Sequence, residues 1–180
     1  MKIVREIGIT ILIAVAIIAV IRISIQGYTV HYSCMLPNIE QGDWIMVSKA
    51  SYLFSDPERG DVIVFWPPED IASDRPFIKR VIALPGDTIE VKDGKVFIND
   101  IPIEEEYIKE PPRYTTSFEL IPDGEYFVLG DNRNNANDSH CWGTITHNDI
   151  IGKALFIYWP PEKWSLLKNY SYPELITAGV

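Results

Sequence analysis

Residues 77–98 read FIKRVIALPGDTIEVKDGKVFI, and this stretch decides the fold class. It contains three short runs rich in β-branched and aromatic residues, at 77–84, 88–92 and 95–98. Asp93-Gly94, between the last two runs, is typical of a tight β-hairpin. Short runs of this composition, separated by turn residues, predict an all-β domain and not a helical or Rossmann-type one.

The same pattern extends outward over most of the chain. Four more strands are predicted, at 43–49, 61–66, 126–129 and 151–159. Proline pairs at 67–68, 111–112 and 160–161 interrupt the pattern and mark loops. The acidic, proline-bearing segment 104–119 is expected to be a connecting loop or an excursion that spans lobes. The predicted fold class is therefore mainly β.

Composition limits both the architecture and the partners. With 180 residues, the chain is long enough for one packed domain plus an appended segment. Its net charge of -9 would repel a phosphate backbone, so no nucleic acid is expected as a partner. Two cysteines, Cys34 and Cys141, allow at most one disulfide. The three histidines are scattered without zinc-site spacing, so no metal and no cofactor is predicted.

The N-terminus carries a candidate membrane anchor. From Ile7 to Ile25 the residues are almost all apolar, with Arg22 as the single charge, and as a helix they would span about 28 Å. Lys2 and Arg5 precede this run and favour a cytoplasmic N-terminus. A cleavable signal peptide is the alternative, but no small-x-small site follows the run. We predict a cytoplasmic segment 1–6, a single anchor 7–25 in the cell membrane and an extracytoplasmic domain 28–180.

Lys79 is the first candidate for chemistry. Strand alternation places it on the same face as Phe77 and Val81, with Arg80 on the opposite face. A lysine can serve as a general base only as the neutral amine, and apolar surroundings disfavour the ammonium form. The ordinary alternative is a surface lysine on an amphipathic strand, since unpaired lysines are rarely buried. The neighbouring motifs favour the base.

Three sequence blocks follow the anchor. They are SCMLPNI at 33–39 with Gly42-Asp43; RGDVIVF at 59–65 with FIKRV at 77–81 and LPGD at 84–87; and GDNR at 130–133 with Asp138-Ser139 and Trp142-Gly143. In this order and behind an anchor, they resemble the type I signal peptidases over nearly the whole chain. That family consists of proteases with a Ser/Lys dyad that cut signal peptides from exported proteins.

The resemblance implies a fold and a reaction. The fold would be an N-terminal transmembrane helix followed by an all-β, signal-peptidase-like catalytic domain. The activity would be endoproteolysis of exported preproteins at small-x-small sites, with the lipid bilayer as the other partner. Lys79 would be the general base. Cys34 stands at the position of the family's nucleophilic serine, and a thiol loses its proton more readily than an alcohol and is more nucleophilic.

Supporting roles follow from the same resemblance. The supporting residues would be Tyr32, Met35, Arg80, Asp131, Arg133, Asp138 and Ser139. Arg133 and Asp138 are expected to form an ion pair or a hydrogen-bonded turn. Tyr32 stands where some relatives carry a serine that donates to the oxyanion. Ala136 replaces a serine that in the family helps to hold the lysine amine, so one partner of Lys79 is missing.

Several alternatives stay open at this point. Cys34 could be a natural thiol variant, an engineered Ser-to-Cys replacement, or the mark of a decayed site that only binds. Ser33 lies one residue too early, and in an extended chain it faces the other side. A self-cleaving Ser/Lys repressor would share the dyad but would carry a DNA-binding domain in place of 7–25. The remaining alternative is a membrane-tethered β domain that binds exported chains without cutting them.

Overall fold

A computed structural model describes residues 2–178 of the chain. It begins with helix α1, Lys2–Ser24, within which Arg5–Ser24 is long and apolar enough to cross a membrane. The large apolar side chains along this helix are exposed rather than packed on the domain. Ile25, the last residue of the predicted anchor, is instead the first residue of a strand, because its ladder pairs it with Ser48.

All seven predicted strands are present. They are β2 (Trp44–Ser48), β3 (Val62–Phe65), β4 (Phe77–Ala83), β5 (Ile89–Lys92), β6 (Lys95–Ile98), β9 (Glu125–Leu129) and β11 (Ile150–Trp159). Five more strands were not predicted: β1 (Ile25–Thr29), β7 (Ile101–Pro102), β8 (Thr116–Phe118), β10 (Ile145–Thr146) and β12 (Ser165–Leu166). Four of these five have only two or three residues, too few for an alternating pattern to be visible. Strand β8 lies within the segment that was expected to be a loop.

Helical structure after α1 is limited to short pieces. In the described residues these are α2 (Ser139–Trp142), α3 (Pro173–Ala178) and three 3₁₀ turns, Arg133–Asn135, His147–Asp149 and Pro161–Lys163. The domain is therefore mainly β, as the sequence predicts.

The strands form two antiparallel sheets. The larger has the order β1-β2-β11-β3-β4-β9-β10, with β12 added on β11, and the smaller has the order β7-β6-β5-β8. The predicted hairpin joins β5 to β6: Lys92 pairs with Lys95, and Asp93 and Gly94 both have positive φ, at 52° and 75°. This is the backbone twist that a two-residue hairpin turn requires.

Strand β4 positions the site. It lies between β3 and β9 in the larger sheet, and six of its seven residues are buried. Its register with β3 pairs Lys79 with Ile63 and Arg80 with Val62. Because side chains alternate along a strand, Lys79 and Arg80 enter two different buried environments. One of these holds Cys34, within a cluster that includes Met35, Ile39 and Val64.

Candidate active site

Cys34 and Lys79 are in direct contact. The Nζ of Lys79 lies 3.1 Å from the Sγ of Cys34 and donates to the carbonyl oxygen of Ile78 at 3.0 Å. The thiol in turn lies 3.6 Å from the same carbonyl. Both side chains are buried, with only 5% of Cys34 and 3% of Lys79 exposed. The two residues are thus placed to exchange a proton in a site with little solvent.

The turn that carries Cys34 is anchored on both sides. Met35 and Ile39 are fully buried, which fixes the turn to the core. On the other side, the backbone N–H of Asn132 donates to the carbonyl of Cys34 at 2.9 Å. Gly130 lies against the same carbonyl, and a Cβ at this position would come within 2.6 Å of its oxygen. A glycine is therefore needed here for the segment after β9 to approach the Cys34 turn.

Ser33 faces a different group. Its hydroxyl oxygen accepts a hydrogen bond from the side-chain amide of Asn135 at 3.1 Å, and its carbonyl accepts one from Asn132 at 3.0 Å. The amine of Lys79 contacts Cys34 and not Ser33. The two side chains thus meet different groups, although they lie in a turn and not in the extended chain that the expectation assumed.

Arg80 enters the environment on the other side of β4. It binds Asp131 with two hydrogen bonds, of 2.9 and 2.8 Å, and donates to the carbonyl of Gly60 at 2.8 Å. Although burial opposes the charged form, the hydrogen bonds and negative charge of Asp131 raise the pKa of Arg80. Asp131 also accepts from the side-chain amide of Asn38 at 2.8 Å. Through Asn38, this pair holds the far end of the Cys34 turn.

The expected pairing of Arg133 with Asp138 is wrong. The guanidinium of Arg133 pairs with Glu105 at 2.5 Å, and both side chains are buried. Asp138 instead accepts from the backbone N–H groups of Gly130 at 2.9 Å and His140 at 3.2 Å. Because its carboxylate caps helix α2, it is not available to Arg133. Glu105 was not identified from the sequence, where it belongs to a run of three glutamates with no distinguishing signal.

The remaining supporting candidates are spread out. Ser139 is fully buried and accepts from the backbone N–H of Val128 at 3.0 Å. Met35 belongs to the core. Tyr32 is 53% exposed, and its ring packs edge-on against Phe77. Ala136 lines the cleft that contains the Lys79 amine and offers no hydrogen-bonding group.

A cleft of about 1000 Å³ opens onto the Cys34–Lys79 pair. Its wall residues are mainly apolar or aromatic, among them Tyr28, Tyr32, Ile45, Val64, Phe77 and Ala136. Within residues 2–178, no three His, Cys, Asp or Glu side chains are arranged to hold a metal ion. Cys34 and Cys141 are both free thiols. The arrangement therefore offers a nucleophile and an amine in a cleft of about 1000 Å³.

Comparison with known proteins gives a consistent result. Residues 4–159 match the family described as signal peptidase, peptidase S26. The chain is 50% identical over 143 residues to the probable signal peptidase I-1 of Synechocystis sp., covering 77% of this chain and 73% of that protein. It is 42% identical over 162 residues to the signal peptidase I of Leptolyngbya laminosa, covering 87% and 78%. A crystal structure of a signal peptidase I from Enterococcus faecalis is 29% identical and covers 55% of this chain and 97% of that one, with a TM-score of 0.49.

Proposed function

This chain belongs to the signal peptidase family, peptidase S26, whose members are serine-type endopeptidases, and we propose that it cuts signal peptides from exported preproteins with Cys34 as nucleophile and Lys79 as general base. One observation carries the proposal. The two reactive atoms, Nζ of Lys79 and Sγ of Cys34, are 3.1 Å apart at the floor of the cleft. This distance is within hydrogen-bond reach, as nucleophile and base require.

The contacts of Lys79 support its role as base. Its amine bonds to the Cys34 thiol and to the Ile78 carbonyl, and among residues 2–178 no carboxylate contacts it. The aromatic ring of Phe77 lies 5.2 Å away, on the same face of the strand. The amine is thus placed for proton exchange with the thiol and not for an ion pair.

The reaction would follow in two halves. Lys79 takes the thiol proton, the sulfur of Cys34 attacks the scissile carbonyl, and the ammonium returns the proton to the leaving amine. An acyl-enzyme with a thioester bond results, and the mature protein departs. Lys79 then takes a proton from water, the hydroxide attacks the thioester carbonyl, and the signal peptide leaves with a free carboxylate as Cys34 is reprotonated.

The backbone of Cys34 supports stabilisation of the oxyanion. Within residues 2–178 its N–H has no hydrogen-bond acceptor, while its carbonyl is held by the N–H of Asn132. A fixed and unused donor beside the nucleophile is the geometry that an oxyanion hole needs, and such a donor is worth about 3–4 kcal/mol in the transition state.

The proposal includes a topology. We place residues 1–6 in the cytoplasm, the anchor 7–25 in the cell membrane and the peptidase domain 28–180 outside. The long apolar helix α1 supports the anchor. Lys2 and Arg5 support the orientation, because positive residues beside a membrane helix stay on the cytoplasmic side.

The test uses the full chain in detergent with a preprotein that carries a small-x-small site. Every variant is made in a Cys141→Ser background, so that Cys34 is the remaining thiol. We expect cleavage by this parent, loss of cleavage in Cys34→Ala, and retained or improved cleavage in Cys34→Ser. Iodoacetamide should block the parent and spare the serine variant.

Two results would count against the proposal in different ways. Full activity in Cys34→Ala would mean that another group attacks the substrate. Inactivity of both the parent and the serine variant, with the preprotein still bound, would favour a membrane-tethered domain that binds exported chains without cutting them.

A further inference from the structure

A second set of reactive side chains lies outside the cleft. The Nδ1 of His140 is 2.6 Å from Oδ1 of Asp138, and its Nε2 is 3.1 Å from Sγ of Cys141. A carboxylate only accepts hydrogen bonds, so Nδ1 carries the proton and Nε2 is left as an acceptor. The acceptor nitrogen therefore faces the thiol of Cys141. Carboxylate, imidazole and thiol stand in the order that activates a nucleophile in Cys–His enzymes.

The imidazole of His140 is held from two sides. Asp138 is fully buried, and the backbone N–H of Gly130 fixes its second oxygen at 2.9 Å. The ring of Tyr114 stacks on the imidazole with centroids 4.0 Å apart and planes inclined by 16°. With its plane and one nitrogen both constrained, the ring keeps Nε2 directed at the thiol.

Charged and titratable groups surround the imidazole of His140. Asp138 supplies the negative charge in direct contact. Burial and the charge of Asp138 raise the pKa of Tyr114, so the stacked ring stays neutral. The positive charge of Arg133 is paired with Glu105, so its repulsion of other positive charges is weaker than that of an unpaired guanidinium. The carboxylate of Asp138 therefore stays opposite the imidazole when Nε2 accepts the thiol proton.

Cys141 also differs from Cys34 in access. Its residue is exposed, whereas Cys34 is buried. Structural cysteines are usually buried and inert, while reactive ones are accessible and lie beside a group that takes their proton. The described lining of the peptidase cleft includes neither Cys141 nor His140. This thiol is thus separate from the Cys34–Lys79 pair.

We propose that Cys141 is a modification site, an activated thiol that Asp138 and His140 prepare for exchange with low-molecular-weight disulfides. The thiol proton passes to Nε2 of His140, and the sulfur attacks one sulfur of the disulfide. The disulfide bond breaks as the new bond to Cys141 forms. The leaving thiolate keeps the electron pair of the broken bond and takes the proton from His140, so Cys141 is oxidised and half of the reagent is reduced.

The expected increase in reaction rate depends on the fraction of the thiol that is ionised. An ordinary exposed thiol, with a pKa of about 8.5, is about 3% thiolate at neutral pH. A thiol that is half ionised at neutral pH has a reactive fraction about sixteenfold higher, but it is also a weaker nucleophile by roughly fivefold, so the net gain is about threefold.

The experiment measures the reaction of the full chain in detergent with 4,4′-dithiodipyridine. Mass spectrometry follows the peptide that contains Cys141, which separates it from Cys34 without a further mutation. His140→Gln is compared with the native chain and with the matched control His147→Gln, which alters a histidine that contacts Asp56 and Tyr126 instead. We expect His140→Gln to react about threefold more slowly at neutral pH and His147→Gln to match the native chain.

The pH profile tells activation from a structural role. When the pH falls from about 8 to 6, the rate at which an unassisted thiol reacts with the disulfide falls nearly a hundredfold. For a thiol that has transferred its proton to an imidazole, the rate falls much less. We expect the shallow profile in the native chain and the steep one in His140→Gln. Equal rates in both, or a steep profile in the native chain, would overturn the proposal. If circular dichroism shows that His140→Gln is unfolded, the native profile decides alone.

Discussion

Replacing Lys79 by methionine removes the amine while keeping the length and volume of the side chain. The site is only 3% exposed, and methionine fits the apolar surroundings formed by Phe77 and the Cys34 cluster. The two lost hydrogen bonds are worth about 1 kcal/mol each, and removing a polar group from a buried site offsets part of that loss. The variant should therefore still fold.

The rate should respond far more strongly than the stability. A positioned general base contributes about 10²–10⁴ to a rate, so Lys79→Met should slow cleavage by that factor, or about 3–5 kcal/mol of transition-state stabilisation. The amine is needed twice, first for the thiol of Cys34 and then for water, so both acylation and deacylation should slow.

The assay is single-turnover cleavage of a preprotein by the full chain in detergent, with urea unfolding measured in parallel. Lys95→Met is the matched control, because Lys95 lies on the smaller sheet with 56% of its side chain exposed. The control should cleave at the native rate. If Lys79→Met, folded and as stable as expected, cleaved within about threefold of the native rate, Lys79 would not be the base.

Four other predictions concern the scaffold. Gly130→Ala would bring a Cβ to 2.6 Å from the carbonyl oxygen of Cys34 and would push the Cys34 turn away. A displacement of about 1 Å should lower kcat about a hundredfold with little change in KM, which steady-state kinetics would measure. Glu105→Gln leaves the fully buried Arg133 without its counter-charge and should cost about 3 kcal/mol in urea unfolding, whereas a loss under about 0.5 kcal/mol would contradict the pairing. Burial chiefly raises the pKa of Tyr107 and Tyr172, so above about pH 10 these phenols ionise first in the unfolded chain, and each should cost about 1.4 kcal/mol of unfolding free energy per pH unit. Protease added to intact cells should digest the domain after the anchor. If that domain is protected until the membrane is broken, the proposed topology is wrong.

Features that depend on neighbouring residues could be predicted from the amino-acid sequence. The apolar run of the anchor, the Asp93-Gly94 hairpin and the seven predicted strands all leave a local period or a turn signal. The same alternation correctly separated Lys79 from Arg80 on β4. The contact between Cys34 and Lys79, 45 residues apart, was anticipated only because the order of motifs resembles a known family.

Only the tertiary structure decided which partners meet across long separations. Arg133 had a carboxylate five residues away in Asp138, yet it pairs with Glu105, 28 residues away. A guanidinium can pair with either carboxylate, so the sequence indicates no preference. The partner is the carboxylate that the packing of the sheets brings into the same buried region, from which water is excluded. Asp138 was already engaged as the cap of α2, and the capping oxygen also accepts from Nδ1 of His140, whose Nε2 faces Cys141. Outside a strand no such alternation applies, and here the stacked ring of Tyr114 fixes the plane of the His140 imidazole.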